Sequence, residues 1–173
     1  SAIAVKVFNS LIYDNFVRNS TSSGFSISGN NSIVENNTAI ENKYGFTISG
    51  NYMNLSNNNA SYNNITFGDG FRVTGNNAVL RNNFAAGNYY SGYEFDGSSY
   101  SSLINNTAVN NNYGLRIETG SGEDSYNGTI LNNTFNNNTY GLYTSIYSTS
   151  LFENYTFDNN NFSDNTYHLD FDQ

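Results

Sequence analysis

The alternation in Gly45-Phe46-Thr47-Ile48-Ser49-Gly50 has the two-residue period of a half-buried strand, not the 3.6-residue period of a helix. Aligning the segments that share it gives two apolar columns. One runs Ile3, Phe25, Phe46, Phe71, Tyr93, Leu115, Leu142 and Leu169, and the other, two residues on, runs Val5, Ile27, Ile48, Val73, Phe95, Ile117, Thr144 and Phe171. Two shorter strands contribute the columns Ile12, Val34, Leu55, Leu80, Leu103, Ile130, Phe157 and Val17, Ala39, Ala60, Ala85, Ala108, Phe135, Phe162. Thr144 is the one residue of the four columns that is not apolar. All four are expected to face inward.

The columns recur because a block recurs. Asn36-Asn37-Thr38-Ala39-Ile40-Glu41-Asn42-Lys43-Tyr44-Gly45-Phe46 has near copies from one end of the chain to the other, and its second Asn falls at 15, 37, 58, 83, 106, 133 and 160, in steps of 22, 21, 25, 23, 27 and 27 residues. A period of this size marks a solenoid. The expected architecture is all-β, a single parallel β-helix domain over residues 1–173 with no linker, about seven coils of three short strands stacked about 4.8 Å apart. One coil buries four or five apolar side chains, worth ~6 to 15 kcal/mol, against about 24 residues ordered at ~1 to 2 kcal/mol each. No coil folds alone; stability comes from stacking. The change from Ala108 to Phe135 where the repeat lengthens predicts a cross-section that widens toward the C-terminal end. The sevenfold Asn predicts one hydrogen-bonded ladder at a turn, and Asn19, Asn42, Asn63, Asn88, Asn111, Asn138 and Asn165 predict a second, because Asn tolerates the left-handed conformation and its amide both donates and accepts.

These repeats resemble those of right-handed parallel β-helix proteins, most closely the NosD-like branch that includes nitrous-oxide-reductase accessory proteins and Asn-rich cell-surface proteins of archaea and bacteria. The resemblance covers nearly the whole chain. It implies the right-handed fold but no single activity, since the same repeat serves pectin-degrading enzymes, carbohydrate-binding domains, adhesins and envelope proteins.

Composition narrows the function. The chain has no Cys, no Pro and a net charge of −8 with only 6 Lys plus Arg, so a thiolate metal site is absent and a basic stripe for nucleic acid cannot form. No apolar run reaches the length of a membrane span. The opening residues lack the layout of a signal peptide, as expected of a mature protein or an excised piece. No cofactor is expected. One His (His168), one Met (Met53) and no Cys do not make a copper site, and the loop Gly120-Ser121-Gly122-Glu123-Asp124-Ser125 does not follow a calcium-loop spacing.

The outward columns of the first strand carry the charge, with Arg72, Glu94 and Arg116 in one and Asp96 and Glu118 in the next. Asp96 and Glu118 fall one coil apart, near the spacing of a retaining glycosidase pair; the competing reading is an ion-pair ladder of alternating sign. Asn-x-Ser/Thr acceptors outside the ladders include Asn36, Asn54, Asn64, Asn105, Asn127, Asn132 and Asn154. Tyrosines precede the strand glycine at Tyr44, Tyr113 and Tyr140, where they pack or contact a partner.

The reading that follows is an extracellular, non-enzymatic structural protein of a cell-surface layer, sheath or filament, N-glycosylated and assembling with itself. The apolar pairs Ile3 and Val5, Leu169 and Phe171 would meet head to tail. The alternative is a carbohydrate-binding or weakly polysaccharide-degrading module whose outer strand face holds Asp96 and Glu118.

Overall fold

A computed structural model describes residues 2–120, 124–147 and 149–172, the side chain of Asp172 excepted. The alternating segments form an eight-stranded parallel sheet, sheet A: Ile3–Phe8, Ser23–Asn30, Tyr44–Ile48, Phe71–Val73, Ser91–Asp96, Tyr113–Thr119, Tyr140–Ile146 and Tyr167–Asp172. The two shorter strands of each coil build sheets B (Leu11–Tyr13 to Thr156–Asp158) and C (Phe16–Arg18 to Asn161–Ser163), seven parallel strands each. Each strand pairs with its counterpart in the next coil in the register the columns predict, as in Phe71 with Phe46 and Tyr93. The result is an all-β, right-handed parallel β-helix of about seven coils, the hand that parallel crossovers take.

The corners explain the asparagines. Each coil turns at three residues held in the left-handed region, five apart: 9, 14 and 19, then 31, 36 and 41, and so on to 154, 159 and 164. Asn fills most of these places because its short polar side chain tolerates a positive φ that costs other L-residues roughly 1 to 2 kcal/mol. The next residue is the ladder. Asn106 donates its main-chain N–H to Asn133 Oδ1 at 2.8 Å and its amide to the same oxygen at 3.2 Å, while Asn83 repeats both bonds onto Asn106. The second ladder runs from Asn42 to Asn165, but its first rung is Ser20, whose N–H meets Asn42 Oδ1 at 2.9 Å; Asn19 is the corner residue before it. A third, mixed ladder of Asn30, Asn51, Asn76 and Ser99 stacks at the remaining turn.

The core is filled by an exchange rather than a widening. Phe25, Phe46, Phe71 and Tyr93 stack from sheet A at 4.7 to 5.1 Å, each above an Ala of sheet C in its own coil. In the next coils Leu115 and Leu142 replace the ring on sheet A while Phe135 and Phe162 supply it from sheet C, stacked at 5.0 Å. From the second coil to the last this facing pair of columns keeps one aromatic ring per coil, as close packing favours. The added residues of the longer coils leave the barrel instead, and part of them forms a separate two-stranded pairing of Ser125–Tyr126 with Phe152–Glu153. Thr144, the polar residue of the inward columns, is buried in its predicted place.

Candidate functional site

Because the three corners are always five residues apart, every change in repeat length falls between the last corner of one coil and the first of the next, which is the sheet A side. The largest excursion before a sheet A strand is residues 62–70, between Asn59–Ser61 and Phe71–Val73. It lies over the outer face of sheet A where the charged columns run. Register places Arg72 beside Glu94 and Glu94 beside Arg116, with Asp96 beside Glu118.

These groups form a network. Arg72 Nη2 donates to Asp96 Oδ2 at 2.6 Å, Arg116 Nη1 donates to Glu94 Oε1 at 3.0 Å, and Arg116 Nη1 also pairs with Glu118. Asp96 and Glu118 are neighbours as the sequence places them, and each is engaged with an arginine. Alternating charge along the stack is the arrangement cross-strand pairing favours.

Sequence reasoning missed the central residue, Asp69. It occupies the place before the strand glycine that Tyr44, Tyr113 and Tyr140 or Ser23 and Ser91 hold in other coils, so an acid in a column of otherwise uncharged residues was the available signal. Its carboxyl is buried, accepts the Ser91 N–H at 3.0 Å on Oδ1, and lines the same groove as the carboxyl of Glu94, also buried. Burial, and then the Asp69 carboxylate beside it, push Glu94 up to about 8. Burial raises Asp69 as well, against the pull of its hydrogen bonds and Arg72. Each carboxyl thus raises the cost of ionising the other. Burial also raises Glu118.

The pair sits in a groove of about 260 Å³ lined by Phe67, Tyr44, Tyr90, both arginines and Glu118. Arg116 lies over the Tyr90 ring at 5.1 Å, and burial pushes the Tyr90 hydroxyl up to about 12. The Phe67 ring stands edge-on to Tyr90 at 5.8 Å and is 59% exposed. The Nε–H groups of Arg72 and Arg116 are buried without a protein acceptor. Beyond the Arg72–Asp96 pair a second groove of about 370 Å³ opens at the other end of the strands, lined by Thr74, Asn76, Asp96, Ser99, Asp124 and Tyr126.

Other expected residues lie elsewhere. Asn36, Asn54, Asn64, Asn105, Asn132 and Asn154 are exposed and Asn127 is half-buried; Asn36, Asn105, Asn127, Asn132 and Asn154 are left-handed corners. The outer tyrosines stack on one another, Tyr113 on Tyr140 at 5.1 Å and Tyr140 on Tyr167 at 4.9 Å. Ile3 and Val5 are partly buried against the core, and Leu169 and Phe171 are half exposed. Residues 121–123 of the 120–125 loop lie outside the described residues. His168 is exposed in the last coil and Met53 is buried in the third, and no group of three potential metal ligands occurs among the described residues.

A family model described as periplasmic copper-binding protein (NosD) matches residues 3–173. No curated protein matches the chain. Among solved structures, the A-module of the mannuronan C-5 epimerase AlgE4 from Azotobacter vinelandii superimposes with a TM-score of 0.70 at 17% identity, over 92% of this chain and 55% of that one. The chain thus spans about half of that module, and at this identity the likeness is one of fold. The pentapeptide repeat protein HetL from the cyanobacterium Nostoc, at 8% identity and a TM-score of 0.22 over 92% and 87% of the two chains, carries no argument. The copper of the family description does not fit the residues present, because the lone His and the lone Met stand coils apart and Met53 is sealed in the core.

Proposed function

The chain belongs to the NosD family, and from that premise we propose that it is an extracytoplasmic β-helix module that binds a glycan on the outer face of sheet A. The family's description as periplasmic supports the location. No helix among the described residues is long and apolar enough to cross a membrane. The observation that carries the reading is the groove itself: the exposed Phe67 ring, edge-on to Tyr90, and the arginines and carboxyls of the charged columns line one concave strip. Rings and fixed polar groups are what a sugar needs, the one for its apolar C–H face and the others for its hydroxyls.

Charge selects the kind of glycan. Both guanidinium groups that line the groove are already committed to Glu94, Asp96 and Glu118, which leaves little positive charge for a polyuronate such as mannuronan. The groove suits a neutral or amino-sugar polymer, and its role is binding rather than cleavage. A glycan array containing neutral, amino and uronate oligosaccharides tests this. Neutral or amino sugars are expected to bind, with a tenfold or greater loss in Phe67→Ala; binding to uronates alone, or to nothing, overturns it.

A second reading, lateral contact with another copy of the chain, is favoured by Phe8, Leu11, Tyr13, Phe16 and Ile33, which are 43 to 64% exposed on the first two coils. It predicts a concentration-dependent mass by light scattering that Leu11→Lys with Phe16→Lys abolishes. The exposed sequons, Asn36, Asn105 and Asn132 foremost, are where surface glycans would fit, which an intact mass of the native protein decides.

A further inference from the structure

We propose that the ligand of the sheet A groove is a cationic amino-sugar polymer, lying along the solenoid axis from Phe67 across the outer tyrosines of the following coils. The inference rests on the glycan reading and deepens it, naming the polymer's charge, its direction and the residues that hold its far end.

The outer rings form one line. Phe67 stands edge-on to Tyr90 at 5.8 Å, Tyr90 edge-on to Tyr113 at 5.0 Å, and Tyr113, Tyr140 and Tyr167 then stack at 5.1 and 4.9 Å. Tyr143 lies beside the line, 4.9 Å from Tyr113 and 5.6 Å from Tyr140. Each ring belongs to a successive strand of sheet A or to the turn before it, so the line advances by one coil, about 4.8 Å, per ring. An extended, equatorially linked hexopyranose chain advances by nearly the same length per sugar. Laid along the axis, it meets a ring at every residue, with a phenolic hydroxyl on each ring beyond Phe67. Tyr90, Tyr113, Tyr140 and Tyr143 are half-buried, held by one another while part of each remains in solvent. Rings fixed in this way lose little freedom when a ligand settles on them.

Charge changes along the same line. Residues 1–116 hold 6 Lys and Arg against 6 Asp and Glu, whereas residues 117–173 hold 8 Asp and Glu and no Lys or Arg. The whole net charge of −8 therefore belongs to the part of the chain that carries Tyr140, Tyr143 and Tyr167. On the face itself, the outward column of Arg72, Glu94 and Arg116 continues with Tyr143 and Asp170, so Arg116 is its last cation. Arg116 is engaged by Glu94 and Glu118, and the surface beyond it is rings and acid. Such a surface repels a uronate and offers a neutral glucan no added attraction. It attracts an ammonium group, which also lies favourably against a tyrosine ring. A chain of deacetylated amino sugars satisfies the rings and the charge together.

Calorimetric titration of the intact chain at pH 6 tests this, using glucosamine oligomers from dimer to hexamer, their N-acetylated counterparts and β-linked glucose oligomers of equal length. Affinity in the glucosamine series should rise at least tenfold from dimer to hexamer. At low salt the glucosamine hexamer should bind at least tenfold tighter than the acetylated one, and high salt should close that gap by screening. Tyr140→Ala and Asp170→Asn should each weaken the hexamer several-fold and leave the dimer, held at Phe67, unchanged. If Tyr140→Ala does not fold, Asp170→Asn and the wild-type length series decide. A hexamer no tighter than the dimer, or an acetylated or glucose hexamer that binds as well, overturns the proposal and leaves the groove a glycan site. A hexalysine peptide that binds as tightly as the glucosamine hexamer would show attraction by net charge alone and overturn it too. No binding by any oligomer of the three series removes the glycan reading, and this proposal with it.

Discussion

At the scale of the residue, two adjacent asparagines do different jobs. Asn105 provides the left-handed corner and Asn106 the rung, so they should respond differently to the same change. Asn106→Ala should cost ~1 to 3 kcal/mol, because it leaves buried groups of Asn83 and Ile104 without their partner. Asn105→Ala should cost about 1 kcal/mol, the price of a Cβ at positive φ without the local polar compensation. Urea denaturation checks both, and equal costs would contradict the assignment. The ladder was legible in the sequence because every coil repeats it in step. Its first rung was not, since Asn19-Ser20 offers an asparagine one place too early and only the corner geometry separates the roles. Asp69 was hidden for a related reason: its column mixes Ser23 and Ser91 with Tyr44, Tyr113 and Tyr140, so an acid there departed from no fixed letter.

At the scale of the element, the inward columns of each coil compensate one another. Aromatic on sheet A with Ala on sheet C gives way to Leu with Phe, and the alignment displayed both columns without showing that they face each other across the core. Phe135→Ala should cost ~3 to 5 kcal/mol through the cavity it opens, and Leu115→Phe ~1 to 3 kcal/mol through overpacking. Combined, they rebuild the arrangement of the preceding coil, so the double variant should be more stable than Phe135→Ala alone by chemical denaturation. A double variant at the sum of the two costs would refute the exchange. The third ladder was illegible from sequence because it mixes Asn and Ser, which share a function at that turn but no common letter. The strand register, by contrast, followed directly from alternation, as a one-residue slip would turn every core side chain outward.

At the scale of the whole molecule, the buried carboxyl pair links stability to pH in an unusual direction. Glu94 is raised in the folded state to about 8, so the folded chain binds a proton the unfolded chain releases, and stability should fall as pH rises from about 4.5 to about 8. One proton gives a slope of at most ~1.4 kcal/mol per pH unit. Glu41, lowered by its hydrogen bond to Arg18, acts oppositely and loses its contribution as pH falls. Urea midpoints at pH 5, 6.5 and 8 should decline in the wild type and flatten in Glu94→Gln; a rising wild-type curve would show the pair ionised throughout. The most direct test of the functional account is NMR mapping of a bound neutral or amino-sugar oligosaccharide on the isotopically labelled chain. The account predicts shifts centred on Phe67, Tyr90, Ser91 and Arg116. Shifts confined to sheets B and C, or none with any glycan, would contradict it.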